Sequence, residues 1–143
     1  MNEQTLQPLV DNKKISQVYV VHELDVPEMV KVKQYSPPKW LHPSGHGITP
    51  RGVLMAIAHL LLMVYITVVE KPDATVGFHI FHAQYAFICG KIFKKPVIVY
   101  IDDWPGNWHL RRRLIPMLKH CNVVATTGTK ARAYLIKQGI DEG

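Results

Sequence analysis

Strands alternate with helices along the second half of this chain, and that alternation most constrains the fold. Apolar, β-branched strands are predicted over 74–80, 96–101 and 122–126, and helices over 82–93, 108–119 and 129–138. The run PVIVYI is uniformly apolar, which is typical of a strand buried on both faces. Strands joined by helices indicate βαβ units with parallel strands. The pattern predicts an α/β fold of the Rossmann-like, doubly wound kind, with a mainly parallel sheet and helices on both faces.

The first half of the chain is less regular. Val-Tyr-Val-Val over 18–21 predicts a short strand, and the alternation over 29–35 predicts a half-exposed or edge strand. Four prolines and two glycines over 36–50 predict no regular element there. A length of 143 residues fits one domain. We expect that domain to combine an irregular, edge-strand part over 1–47 with a helix and a βαβαβα series over 48–143.

A long apolar helix is predicted between these two parts. Thr49 suits the N-cap and Pro50 the first helical position, and the helix should end near Val69, before Pro72. Its segment 53–69 is apolar except for His59, Tyr65 and Thr67. A transmembrane helix needs about 20 such residues, and this run falls just short. We expect the helix to be buried in protein, and a membrane span is the alternative.

Charge and cysteine content limit the function classes. A net charge of +6 and a pI of 9.4 suggest an anionic partner, such as a phosphate-bearing ligand or a membrane surface. The chain has no nucleic-acid-binding motif, so no nucleic-acid partner is predicted. Cys89 and Cys121 fit neither a zinc nor a disulfide framework and are expected to be small buried hydrophobes. With no signal-peptide pattern at the N-terminus, a cytoplasmic setting is predicted.

Polar residues follow each strand of the second half. Ligands bind at the carboxyl ends of strands in open parallel sheets. If the topology is as predicted, all of these residues lie at one edge of the sheet. They are His79 and His82 after the first strand, Asp102, Asp103 and Trp104 after the second, and Thr127, Gly128 and Thr129 after the third.

Asp102 and Asp103 are the candidate catalytic pair. Adjacent carboxylates repel, which raises the pKa of one towards that of a general acid or base. The same pair could hold a divalent metal, or cap the turn that leads into Pro105 and Gly106. His79 and His82 have the spacing of two metal ligands, yet no third and fourth ligands follow at a zinc-like spacing. No metal site is predicted.

Two further features concern anions. The turn Thr127-Gly128-Thr129 leads from a strand into a helix, where unpaired N–H groups attract an anion. The chain has no GxGxxG, GxxxxGK[ST] or GxSxG motif, which removes the common nucleotide-binding and hydrolase interpretations. Arg111, Arg112 and Arg113 lie on a predicted helix with an apolar face. They form either a solvated basic face or a contact with anionic lipid headgroups.

Five short segments follow one another over about residues 68–143: Lys71-Pro72-Asp73, the loop at His79, Lys95-Pro96-Val97, the strand and turn at 123–127, and Leu135 to Gly139. Taken in this order, they resemble the N-terminal domain of family 4-like (group 1) retaining glycosyltransferases of the GT-B fold. Asp102 stands where the family usually has a histidine, and the family's glycine-rich loop after its first strand has no counterpart here.

The resemblance implies an enzyme that transfers a hexosyl group from a nucleotide sugar to a glycan or a lipid-linked acceptor. Transfer would occur in a cleft between two domains, with no obligatory metal and no tightly bound cofactor. This chain would supply the acceptor side, with Asp102, Asp103, Trp104 and His79 on the cleft wall. The sugar-nucleotide domain is expected in a C-terminal domain or a partner subunit, so the 143 residues alone are expected to be inactive.

The resemblance also implies where the protein acts, and two other interpretations of the chain stay open. An acceptor that is lipid-linked suggests a protein that is peripheral at the membrane, with Arg111, Arg112 and Arg113 facing it. One competing interpretation is a non-catalytic, Rossmann-like binding or scaffold domain. Another is a small membrane-anchored protein that uses 53–69 as its span.

Overall fold

The computed structural model describes residues 7, 11–21, 29, 31–41, 49–101, 114–126 and 128–140, and of residues 79–81 it describes the backbone alone. The chain divides into two compact units, Met1–Glu70 and Lys71–Gly143. Each unit contains one small sheet of parallel strands together with helices, so the chain is an α/β protein. The doubly wound sheet and the single domain stay predictions.

Two short strands form the sheet of the first unit. Strand β1, Val18–Val21, pairs in parallel with strand β2, Val32–Tyr35. Val20 is buried, and Val18, Met29 and Val32 pack against it. The predicted strand at 18–21 is confirmed. The second strand begins three residues later than predicted, because Lys31 has a φ of 71°, which an extended strand does not allow.

The proline-rich segment contains one regular turn that the sequence does not predict. Lys39–Leu41 forms a 3-10 helix, in which the amide of Leu41 donates to the carbonyl of Pro38 at 2.9 Å. Leu41 is buried, so the turn brings one apolar side chain of the segment into the unit. The prediction of no regular element over 36–50 is wrong at these three residues.

Helix α1, Pro50–Val69, begins as predicted. The hydroxyl of Thr49 accepts a hydrogen bond from the amide of Gly52 at 3.0 Å, and Pro50 takes the first helical position. Burial, which the sequence predicts for this helix, is found on one side only: Met55, His59, Ile66 and Thr67 are buried, whereas large apolar side chains elsewhere on the helix are exposed. Strands of four residues, about 13 Å long, do not cover a helix of about 30 Å.

The second unit is a three-stranded parallel sheet with helices between its strands. The strand order is β3-β4-β5. The strands are β3, Thr75–Phe78, β4, Val97–Ile101, and β5, Val123–Thr126; the helices are α2, His79–Ile92, α3, Ile115–Leu118, and α4, Thr129–Lys137. The predicted strands are all confirmed, each somewhat shorter than predicted.

The core of the second unit surrounds its central strand. Val97, Val99 and Ile101 of β4 are buried, and the residues between them are half-buried. Side chains from the helices complete this core, namely Ala83, Ile115, Leu118 and Leu135. The uniformly apolar strand is thus covered more fully on one face than on the other.

The helices of this unit agree with the prediction only in part. Helix α2 begins at His79 rather than at residue 82, and the described part of the predicted helix over 108–119 is the single turn Ile115–Leu118, with Pro116 in its first turn. Helix α4 begins at Thr129, as predicted, and its N-cap is Gly128.

The predicted end of α4 is confirmed. Gly139 has a φ of 78°, its amide donates to Ile136, and the amide of Ile140 donates to Leu135. This is a Schellman motif, in which glycine takes the left-handed position without steric cost.

Candidate functional site

The carboxyl ends of β3, β4 and β5 meet at one edge of the sheet. In the parallel register Phe78 lies beside Tyr100, and Ile101 lies beside Thr126. The rings of Phe78 and Tyr100 are 5.6 Å apart, so the ends of β3 and β4 are also in side-chain contact. The predicted common edge is therefore present in the backbone. We call it the carboxyl edge.

Helix α2 is held tightly against β3 at the carboxyl edge. A Cβ atom built on Gly77 would lie 2.5 Å from the Cα atom of Ala83, so only glycine allows this close approach. Farther along, the hydroxyl of the buried Thr75 donates to the carbonyl of Ala86 at 3.0 Å. The chain therefore passes from strand to helix without a loop, and His79 becomes the first residue of α2.

The two histidines predicted for this edge both belong to the first turn of α2. They are three residues apart along the helix. His82 is exposed, and its ring stacks on that of Tyr85 at 6.3 Å with an interplanar angle of 27°. The sequence placed His79 at the end of a strand. Its place in the helix still leaves its backbone at the carboxyl edge.

The third strand brings Gly128 and Thr129 to the same edge. Gly128 is extended, with φ −109° and ψ 133°, and both residues are exposed at the start of α4. Gly128 offers no side chain to cap the first amides of the helix, as a serine or aspartate would. An anion at this turn stays a prediction.

Several predicted site residues lie outside the described residues. They are Asp102, Asp103, Trp104, Arg111, Arg112, Arg113 and Thr127. Asp102 is bonded to Ile101, the last residue of β4, and Thr127 to Thr126, the last residue of β5. Among the described residues no three histidine, cysteine or acidic side chains gather closely enough to hold a metal ion. Asp102 and Asp103 are not among these residues, so the expectation that they hold no metal stays a prediction.

Neither cysteine has the character of a nucleophile. Both are free thiols; Cys89 is buried and Cys121 half-buried. Burial raises the pKa of each thiol above its usual range, which lowers the thiolate fraction at neutral pH. Cys89 is the small buried hydrophobe that the sequence predicts.

A polar cluster in the first unit was not predicted. The carboxylate of Glu70, at the end of α1, accepts hydrogen bonds from Lys33 Nζ at 2.5 Å and from the Tyr35 hydroxyl at 2.6 Å, both on β2. Tyr19 on β1 lies beside Lys33 in the register and reaches the same carboxylate. The alternation of residues 33 and 35 was visible in the sequence, but nothing in the sequence pairs them with Glu70. We call these four residues the Glu70 cluster.

The Glu70 cluster fixes the charge of its members. The hydrogen bond from Lys33, followed by that from Tyr35, lowers the pKa of Glu70, and the bond to Glu70 raises the pKa of Lys33. The hydrogen bond to Glu70 likewise raises the pKa of Tyr35, whereas that of Tyr19 is raised by partial burial first and by Glu70 second. A carboxylate held ionised in this way is a poor general base. The role of the cluster is therefore structural: it links β1 and β2 to the end of α1.

Comparison with protein-family models, with curated proteins and with solved structures gives no match to this chain. The carboxyl edge and the sequence pattern that leads to it are therefore the features that bear on function.

Proposed function

We propose that this chain is the acceptor-side domain of a nucleotide-sugar-dependent glycosyltransferase. The observation that carries the proposal is the alignment of the ends of β3, β4 and β5 at the carboxyl edge. Three segments predicted to carry the site follow the strands at that edge in the sequence: His79, Asp102 with Asp103, and Thr127 to Thr129. A site built from several strand ends is the usual arrangement in open parallel sheets.

In this proposal each segment has a separate task. Asp102 or Asp103 acts on the acceptor hydroxyl, because paired carboxylates can hold one group at a raised pKa suited to proton transfer. Trp104 offers an aromatic face on which a sugar ring stacks. His79 and His82 line the same wall, and the amides of the Thr127-Gly128-Thr129 turn face a phosphate.

A second α/β domain would supply the donor site, either downstream in the same protein or as a partner subunit. Transfer needs donor and acceptor held together, and such alignment lowers barriers by about 7–11 kcal/mol in well-oriented systems. The proposed acceptor is a glycan or a lipid-linked sugar, and no cofactor other than the nucleotide sugar takes part. The proposed location is cytoplasmic and peripheral at the membrane.

The test compares two substitutions at opposite ends of the strands of the same sheet, one at the carboxyl ends and one at the amino ends. Asp102→Asn removes a carboxylate that follows β4, whereas Asp73→Asn removes an exposed one just before β3, at the amino ends of the strands. Both are made in the chain paired with its donor domain and assayed with UDP- and GDP-sugars. We expect Asp102→Asn to lower kcat by a factor of about 10² or more at unchanged stability, since general acid–base catalysis contributes that much. Asp73→Asn should leave kcat unchanged.

Other results contradict the proposal. If Asp102→Asn unfolds the second unit, or releases a stoichiometric metal ion, the carboxylate is structural or a ligand. If neither UDP- nor GDP-sugars are turned over by the paired protein, the chain is not a domain of this kind of transferase.

A further inference from the structure

The net positive charge of this chain belongs entirely to the second unit. Residues 71–143 contain eleven lysine and arginine side chains and five acidic ones, whereas residues 1–70 contain six of each. The second unit therefore carries the whole net charge of +6. An excess of this size on one small unit attracts an anionic partner.

Six of these basic residues gather where the strands of the sheet begin. Parallel strands are about 4.8 Å apart, and Val76, Ile98 and Val123 lie side by side in the register, so the starts of β3, β4 and β5 lie within about 10 Å. Helices α2 and α4 lead away from the carboxyl edge and end on the side of these starts. The lysines that precede the strands or close the helices are Lys71, Lys91, Lys94, Lys95, Lys119 and Lys137. We call these six residues the basic edge.

Two observations place the helix ends at the basic edge. A Cβ atom built on Gly139, just after α4, would lie 3.3 Å from Lys119 Nζ, so the end of α4 lies beside the segment that leads into β5. Burial raises the pKa of the Cys121 thiol, and the charge of Lys91 opposes this rise, so the end of α2 lies near the same segment.

Acidic neighbours do not balance the basic edge. Five of its lysines are exposed and Lys95 is half-buried, and none forms an ion pair within the described part of the chain. Asp73 is the acidic residue that the described ranges contain between the carboxyl edge and these strand starts. Counting Asp141 and Glu142, which follow α4 outside those ranges, still leaves six lysines for three carboxylates.

Helix stability explains only part of this pattern. Lysine near the end of a helix balances the negative end of the helix dipole, which accounts for Lys91 and Lys137. Lys71 and Lys94, however, are in the left-handed region, with φ values of 51° and 54°, where glycine would be less strained. Strained positions of this kind cluster at functional sites. The two lysines therefore point to a use for their charge outside the fold itself.

Apolar side chains are exposed among these lysines. Ile92, between Lys91 and Lys94, is 63% exposed, and Val123 at the start of β5 is 50% exposed. The described residues of this edge include no exposed phenylalanine, tyrosine or tryptophan on which a nucleic-acid base could stack. Lysines with apolar side chains between them suit a lipid surface, because the charges meet anionic headgroups while the apolar groups enter the interface.

We infer that the basic edge docks the second unit on an anionic lipid bilayer, with its lysines on the lipid phosphates and Ile92 at the level of the headgroups. The carboxyl edge lies one strand length away and stays open. The contact is therefore separate from the proposed transferase site and does not depend on that activity.

The first experiment measures binding to sedimented vesicles of phosphatidylcholine, with and without phosphatidylglycerol. We compare Lys94→Gln with Lys130→Gln, because both remove one exposed charge from the second unit, and Lys130 lies in the first turn of α4, at the carboxyl edge. Lys94→Gln should weaken binding to phosphatidylglycerol vesicles about fivefold, the usual contribution of one lysine at an anionic surface. Lys130→Gln should bind as the wild type does, and vesicles without phosphatidylglycerol should bind the wild type much more weakly.

A glycine variant separates binding from folding. Lys94→Gly removes the same charge and relieves the left-handed conformation. It should therefore bind the vesicles about fivefold more weakly while it melts at a higher temperature than the wild type. A loss of binding in this variant cannot come from unfolding.

The second experiment determines which edge meets the lipid. An environment-sensitive label is placed on a single cysteine at Ile92 or at Thr129, which begins α4 at the carboxyl edge. The background is Cys121→Ser, since Cys89 is fully buried. Phosphatidylglycerol vesicles should shift the emission of the label at position 92 to the blue and leave that at position 129 unchanged.

Four results would overturn the inference. The protein does not bind phosphatidylglycerol vesicles; Lys94→Gln and Lys130→Gln lose binding equally; the label at position 129 responds to vesicles and the label at position 92 does not; or the protein binds an RNA or DNA oligonucleotide at physiological salt and no vesicles, which would assign the basic edge to a nucleic acid.

Discussion

The side chain of Asn122 completes the hydrogen bonding of Val97 at the start of β4. The amide of Val97 donates to Asn122 Oδ1 at 2.9 Å, and the amide of Asn122 donates to the carbonyl of Val97, also at 2.9 Å. Val97 is fully buried, so its amide has limited access to water. One residue thus extends the β4-β5 ladder by a side-chain bond.

We expect Asn122→Ala to destabilise the second unit by about 1–3 kcal/mol, because it leaves a buried amide without its acceptor. Urea unfolding measures the change. Asn122→Asp is the matched control, since a carboxylate oxygen can accept the same bond and should retain most of the stability. Equal losses in both variants would mean that this hydrogen bond does not carry the effect.

Glycine at position 77 should be required for the contact between β3 and α2. In Gly77→Ala the added methyl group meets the backbone of Ala83, which cannot move without displacing the helix. We expect a loss of about 1–3 kcal/mol or more in the free energy of unfolding. Gly128→Ala, where an added Cβ meets nothing within 4 Å, should cost less than about 1 kcal/mol. A small effect at both positions would contradict the close packing.

Lys94 is in the left-handed region, with a φ of 54°, at the end of α2. The amide of Lys95 donates to the carbonyl of Gly90 at 2.8 Å, which is the hydrogen bond of a Schellman motif. Because this conformation costs a residue with a side chain about 1 kcal/mol or more, Lys94→Gly should stabilise the second unit by about that amount. Lys95→Gly removes the same charge outside the left-handed region and should give no gain. Thermal unfolding distinguishes them.

The Glu70 cluster predicts how the stability of the first unit depends on pH. The pKa of Glu70 is lowered in the folded state from its ordinary value of 4.5, so its contribution is present above that pH and is lost on acidification. The pKa values of Tyr19, Tyr35 and Lys33 are raised, so their contribution is present below about pH 10 and is lost as the pH rises further.

In Glu70→Gln the acid-side loss attributed to Glu70 should disappear, and the alkaline loss should shrink. Melting temperatures from pH 3 to pH 11 measure both effects. Asp73→Asn serves as the control, because no hydrogen bond of its carboxylate is found among the described residues. If Glu70→Gln follows the wild-type pH profile at both ends, the cluster does not contribute to stability.

The 143 residues alone should bind a nucleotide sugar weakly or undetectably. One wall of a cleft offers at most the amides of the Thr127-Gly128-Thr129 turn to the diphosphate. Calorimetry with UDP- and GDP-sugars should show no micromolar binding, and addition of the donor domain, fused or in trans, should restore binding and transfer. Micromolar binding and turnover by this chain alone would instead indicate a smaller, self-contained enzyme.

Local chemistry was readable from the sequence. The Thr49-Pro50 start of α1, the glycine that ends α4, and the strands at 18–21, 97–101 and 123–126 follow from neighbouring residues, because caps and β-branched runs act on the backbone close to them. The order of strands and helices in the second half also predicted parallel strands, whose carboxyl ends share an edge.

Only the tertiary structure decided what lies between distant residues. Glu70 meets Lys33 and Tyr35 across more than thirty residues, and the start of α2 at His79 depends on the close approach of Ala83 to Gly77. The exposed side of α1 was likewise beyond the sequence. The sequence shows that the helix is apolar and so favours burial. How much of its surface is buried depends on the size of the sheet that packs against it.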